Sequence, residues 1–133
     1  MLGKNYSETT ETDDTGSFGE DIIVRNYNNG IAVSIGKTSG KVVRISASSS
    51  DFKTESGIKV GDTFKTVSET FKSKYKEAVS RQTNKTLEGW FLMEDGTVMI
   101  FDFKKEDGSM VNENIKDDSK VEEIILSYWK YFD

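Results

Sequence analysis

The stretch Thr54-Glu-Ser-Gly-Ile-Lys-Val-Gly-Asp-Thr-Phe-Lys-Thr-Val-Ser-Glu-Thr-Phe71 constrains this chain most, because it sets a strand end, a glycine turn and a helix start in sequence. Thr63 suits the N-cap position, where its hydroxyl accepts a hydrogen bond from a first-turn amide that lacks a partner inside the helix. Asp62 places negative charge near the positive helix end. Phe64, Val67, Phe71, Tyr75 and Ala78 recur at steps of three and four, so a helix over about 63–80 carries them on one stripe that must be buried. The opposite face bears Lys65, Lys72, Lys74, Lys76 and Arg81 against Glu69 and Glu77, and reads as solvated surface.

Strand signals flank this helix. Asp21 to Tyr27 reads as a strand ending at Asn28-Asn29-Gly30, and Asn-Gly is a strong signal for a two-residue hairpin. Ile31, Val33 and Ile35 then alternate with Ala32 and Ser34, and Lys41 to Ala47 repeats the alternation with Val43 and Ile45 inward. After the helix, Gly89 to Met93 is apolar on both faces, as an interior strand is. Asp95-Gly96 turns it into Thr97–Lys104, where Met99, Phe101 and Phe103 oppose Val98 and Ile100. Glu106-Asp107-Gly108-Ser109 is a further turn before a polar stretch. Val121, Ile125, Tyr128, Trp129 and Phe132 fit a helical stripe, whereas Ile124, Leu126 and Tyr128 fit a strand; the β-branched and aromatic content favours a strand. The expected fold is α+β: an antiparallel sheet of about six strands with the helix across one face, in the order β-β-β-α-β-β-β.

The motif G-I-x-V-G-D-T-x-x-x-V-x-x-x-F, carried by Gly57, Gly61, Asp62, Thr63, Val67 and Phe71, resembles the helix start of small secreted bacterial domains. It is similar to that of the BamE-like outer-membrane lipoproteins and the beta-lactamase inhibitory protein-like domains. The resemblance covers about residues 40 to 128 loosely, with Asp95-Gly96 and Ser119-Lys120-Val121 similar to the strand turns of those families. It implies a helix whose apolar stripe packs on an antiparallel sheet. The pattern departs from those families after Phe71, where Lys-Ser-Lys-Tyr replaces the glycine turn.

Residues 1–20 are rich in Ser, Thr, Gly and acids, with little to bury, and read as a flexible tether ahead of a single domain over 21–133. Glu8, Glu11, Asp13, Asp14, Glu20 and Asp21 against Lys4 account for the net charge of −5, so the remainder is neutral and does not favour nucleic acid. Such a tether is similar to the segment after the lipidated cysteine of bacterial lipoproteins. Met1 and Leu2 sit oddly before Gly3-Lys4-Asn5, which suggests a native chain that continues upstream.

The chain has no histidine and no cysteine, which removes the commonest general base, thiol catalysis and disulfides. Gly36-Lys37-Thr38 has Ile31 where a phosphate-binding loop needs its first glycine, and reads as a hairpin loop. The acidic pairs Asp13-Asp14, Asp117-Asp118 and Glu122-Glu123 are adjacent residues in turns or strands, not carboxylates facing across a cleft. Glu94-Asp95-Gly96 and Glu106-Asp107-Gly108 hold only fragments of a calcium loop. No cofactor and no metal is called for.

What remains is aromatic. Trp90, Phe101 and Phe103 are expected in the core, and the terminal Trp129, Tyr131 and Phe132, with Lys72 and Lys76, are candidate partner contacts. The leading expectation is a non-enzymatic extracytoplasmic domain of a bacterial lipoprotein. It would be held to the membrane through an N-terminal lipid anchor, and its sheet face would bind a protein or an envelope component. The alternatives are a cytosolic immunity-type inhibitor that binds a toxin, and a carboxylate-dependent carbohydrate-active or ion-binding protein that works near Asp95 or Asp102.

Overall fold

Gly30 and Gly96 adopt φ of 83° and 86°, the left-handed backbone that tight hairpins need and that glycine adopts without steric cost. The first joins Ile22–Tyr27 to Ile31–Gly36, and the second joins Thr86–Leu92 to Thr97–Asp102, both as antiparallel pairs. The computed structural model describes residues 6–13, 16, 18–80, 82–104, 106 and 109–132. In chain order the elements are β1 (Tyr6–Glu11), β2 (Ile22–Tyr27), β3 (Ile31–Gly36), β4 (Val42–Ala47), α1 (Phe64–Phe71), β5 (Lys76–Val79), β6 (Thr86–Leu92), β7 (Thr97–Asp102) and β8 (Glu123–Tyr128), then a 3-10 turn over Trp129–Phe132. The strands form a single eight-stranded sheet in the order β1-β2-β3-β4-β8-β7-β6-β5. Every pairing is antiparallel, so two four-stranded meanders meet at β4 and β8.

This corrects the six-stranded α+β plan: the fold is dominated by its sheet and, among the described residues, carries one short α-helix. Residues 6–11, expected within the tether, pair with β2 as an edge strand, and Arg25 Nε donates to Glu8 Oε1 at 3.0 Å. The helix ends at Phe71, not near residue 80. There the amides of Lys74 and Tyr75 both donate to the Phe71 carbonyl at 3.0 and 2.9 Å and close the last turn. Lys76–Val79 then becomes a strand, because pairing with β6 satisfies backbone groups that a longer helix would leave open on that edge. Tyr75 and Ala78 keep helical spacing in the sequence but are delivered to opposite faces of the sheet: Tyr75 packs beside Phe71 and Ala78 beside Trp90. Arg81, Asp14, Asp107 and Gly108 lie outside the described residues.

The helix start follows the capping logic. Thr63 Oγ1 accepts from the Thr66 amide at 3.3 Å, while the Phe64 and Lys65 amides donate to the carbonyls of Ser119 and Asp117 at 2.8 and 3.0 Å. Asp62 does not cap the helix; its carboxylate accepts from the Lys59 amide at 2.9 Å and closes the turn before it. Gly57 and Gly61 adopt φ of 88° and 99°, so the motif's glycines serve backbone bends that other residues adopt only with strain.

Alternation along the strands gives the sheet two apolar faces. On the helix face, Val67 and Phe71 pack on Phe91, Phe101 and Ile124, closed at the margin by Ile58 and Val121. Phe71 is the hub, with ring centroids 5.2 Å from Phe91 and 5.0 Å from Phe101. On the other face, Trp90, Val98, Ile100 and Ile125 are covered by Trp129, Phe132 and Met110. Asn112 braces β6 against β7 where Gly89 (φ 82°) leaves regular pairing. Its Nδ2 donates to the carbonyls of Glu88 and Phe101 at 2.8 and 2.7 Å, and its Oδ1 accepts from the Phe103 amide at 3.0 Å.

The loop from β3 to β4 explains Gly36-Lys37-Thr38. The amides of Thr38 and Ser39 donate to Glu20 Oε1 at 2.7 and 2.8 Å, so the anion in this turn is the chain's own carboxylate. A Cβ on Gly36 would lie 2.5 Å from Glu20 Oε2, so a larger residue there would displace the Glu20 carboxylate from the turn.

Replacing Phe71 with Asp buries a charge at the hub. It should cost more than the about 3–5 kcal/mol typical of truncating a buried Phe to Ala. Denaturant unfolding checks this, and an unchanged midpoint would contradict the packing. The hydrogen bonds from Ser39 and Thr38, together with the charge of Lys41, hold the Glu20 carboxyl below the ordinary glutamate value. Because the folded value is the depressed one, the stabilisation is present above the unfolded pKa and is lost as pH falls through the folded pKa. The stability difference between wild type and Glu20→Gln should therefore shrink on acidification, and a difference independent of pH would refute the anchor.

Candidate functional site

Cross-strand neighbours share a face, and the pairing places Val33, Ile45, Leu126, Met99 and Phe91 in one row across β3, β4, β8, β7 and β6. The helix and the segment before it cover the Phe91 end of this row. Toward β4 the cover stops, and Ile45 remains 39% exposed although the alternation predicts it inward with Val43. Val43 is buried beside a register shift in the β3–β4 pairing, and Ile45 lies over the seam, where no helix reaches.

The result is an open apolar groove with three neighbouring recesses that share lining residues, among the described residues. One, of about 230 Å³, is lined by Val42, Val43, Ile45, Leu126, Tyr128 and Thr97. A second, of about 170 Å³, continues along the same seam past Ile45, Ala47, Ile124 and Leu126 to Phe52 and Lys53. The largest, of about 530 Å³, opens beside them between Met99, Leu126, Phe71 and Tyr75 and the 54–56 and 93–97 loops. Leu126 lines all three.

The charge lining is lopsided. Glu55, Glu94 and Asp95 border the largest of these three recesses, which has no basic lining residue among the described residues. Asp95 Oδ1 accepts from the amide of Thr97 at 3.1 Å and from its hydroxyl, and these bonds hold its carboxyl below the ordinary aspartate value. Among the described residues no three carboxylates stand close enough to hold a metal ion, so these are dispersed charges on a rim. Lys53 is basic lining of the seam. Arg44 sits between Ile45 and Val43, but its guanidinium turns to the other face, 5.5 Å from the Phe18 ring and 5.3 Å from the Phe132 ring. Burial there works against its charge, and the fields of Glu11 and Glu123 work for it.

The predicted contact residues do not converge on the groove. Trp129 and Phe132 are half-buried against Trp90, with the Trp90 and Phe132 ring centroids 5.0 Å apart. They border a separate recess of about 190 Å³ with Ser80, Gln82, Leu87 and Val111. Tyr131 packs on Phe18 at 4.8 Å. Lys72 lies over the Phe64 ring and reaches Glu77 at 3.8 Å, while Lys76 is exposed on β5 in register with Leu92. The structural motif is brought together: Gly57, Gly61, Asp62 and Thr63 form the turn and cap, and Val67 and Phe71 enter the core. Asp102 is buried on the face away from the helix, and its Oδ1 accepts from the Lys104 amide at 2.9 Å. The groove residues Ile45, Met99 and Leu126 were legible only as alternating apolar positions, a signal that core residues share.

Comparison with known protein families and with curated proteins gives no match. Among solved structures, the chain is similar to the uncharacterized protein yfeY from Escherichia coli. The match has 15% sequence identity over 94% of this chain and 82% of that one, with a TM-score of 0.50. At that identity the likeness concerns the fold alone.

Proposed function

We propose that this chain is a non-enzymatic binding domain whose working surface is the open groove on the helix face of its sheet. One observation carries the reading. Of the large apolar side chains exposed among the described residues, Val42, Ile45 and Tyr128 line a single recess over the β4–β8 seam. A contiguous exposed apolar patch rimmed by polar residues marks an interaction site, whereas apolar residues scattered singly need no explanation. The chain's lack of histidine and cysteine directs the reading to binding, since the usual nucleophile–base pairs cannot be assembled from it.

Nile red, a neutral dye whose emission rises in apolar surroundings, tests the surface. The wild-type protein should enhance its emission, and an Ile45→Ser/Leu126→Ser variant that keeps its far-ultraviolet circular dichroism should lose most of that enhancement. Equal enhancement by the variant, or none by the wild type, would refute the groove as the working surface.

The proposal extends to location: an extracytoplasmic domain of a bacterial lipoprotein. Its support is the helix-start motif, whose Gly57, Gly61, Thr63, Val67 and Phe71 form the turn, cap and packed stripe that the resemblance implies. Intact mass measurement on the native protein from fractionated cells should find an acylated cysteine ahead of this sequence, in the membrane fraction. An unmodified chain in the cytosol would contradict this and favour the immunity-type inhibitor.

A further inference from the structure

We infer that the occupant of the groove is an extended segment of a partner polypeptide in which an apolar run is flanked by lysine or arginine. This rests on the groove being the binding surface, and it follows from the groove's shape and the placement of its charge.

Shape comes first. The two seam recesses run along β4 from Val42 to Ala47, which at the rise of a strand is about 17 Å, the reach of about five extended residues. The trough stays open along that length, so it suits a chain laid across the surface better than a compact molecule enclosed in a cavity. Its floor of Ile45, Leu126 and Met99 offers apolar contact and no unpaired strand edge, because β4, β8 and β7 are all interior strands. Recognition therefore falls to side chains and not to strand addition.

Charge supplies the second part. The largest recess shares Leu126 with both seam recesses and carries Glu55, Glu94 and Asp95, with no basic residue in its lining among the described residues. Those three carboxylates are exposed, so their field reaches an arriving partner. An anionic segment would be repelled there, and a neutral one would gain nothing. Against the single exposed Lys53 that lines the seam, the three carboxylates leave the described lining acidic in balance, so a segment with a cationic side chain beside its apolar run meets opposite charge as its apolar residues reach the seam.

The test uses short fluorescein-labelled peptides that share one apolar core of leucine, valine and isoleucine and end in a lysine pair, a serine pair or a glutamate pair. Anisotropy titrations against the full chain should rank lysine over serine over glutamate, with lysine at least about tenfold tighter than serine at low salt. The lysine advantage should fall as salt rises. It should also fall in Glu55→Gln/Glu94→Gln, a change of two exposed residues that leaves the fold intact. Equal binding of all three peptides, or preference for glutamate, would overturn the basic flank and leave the groove standing. No binding of any peptide by a protein that still enhances Nile red through Ile45 and Leu126 would overturn the polypeptide occupant alone. If neither peptide nor dye binds, the groove itself fails.

Discussion

Ser127 Oγ donates to the Val43 carbonyl at 2.8 Å, fully buried, across the seam where β8 meets β4. The four pairs of that seam, Arg44 with Ser127, Ile45 with Leu126, Ser46 with Ile125 and Ala47 with Ile124, join two meanders into one sheet. Each meander alone is a run of sequential antiparallel strands, with edges that would present open backbone groups. The seam removes two such edges at once, and it is made by the last strand of the chain. Ser127 and Val43 lie 84 residues apart in sequence, so closing the seam carries a loop-closure cost that only burial on both faces offsets.

The two halves of the sheet are unevenly covered. The helix, the turn before it and the 117–121 segment seal the helix face over β6 and β7, with Phe71 as the contact that fixes their position. The 3-10 turn that follows β8 seals the other face with Trp129 and Phe132. An eight-residue helix reaches only part of a sheet eight strands wide, so the helix face is left open over the seam. Because the helix ends at Phe71, Lys76–Val79 is released to pair with β6. Had Tyr75 and Ala78 continued the helix, there would be no β5, and the edge of β6 would be unpaired.

The sequence displayed local features well and long-range ones poorly. Asn29-Gly30, Asp95-Gly96 and the Thr63 cap are set by backbone rules that act within a few residues, and they appear where those rules place them. Ile124, Leu126 and Tyr128 alternate, and the segment is a strand. β1 was invisible because Tyr6–Glu11 is exposed throughout and buries no face that would leave an alternating pattern. β5 was hidden because steps of three and four from Phe71 to Tyr75 and Ala78 satisfy a helix, and only pairing with β6 decides otherwise. The groove could not be read at all. Ile45 and Leu126 look like core residues in any window of the chain, and what distinguishes them is the absence of a covering element.

Nuclear magnetic resonance of the isotope-labelled chain tests the β4–β8 seam most directly. Cross-strand nuclear Overhauser contacts should connect Ile45 with Leu126 and Ala47 with Ile124, in the same sheet as contacts between Leu126 and Met99. If β8 contacts only β7, and β4 only β3, the molecule would be two separate four-stranded sheets, and the groove over their junction would not exist.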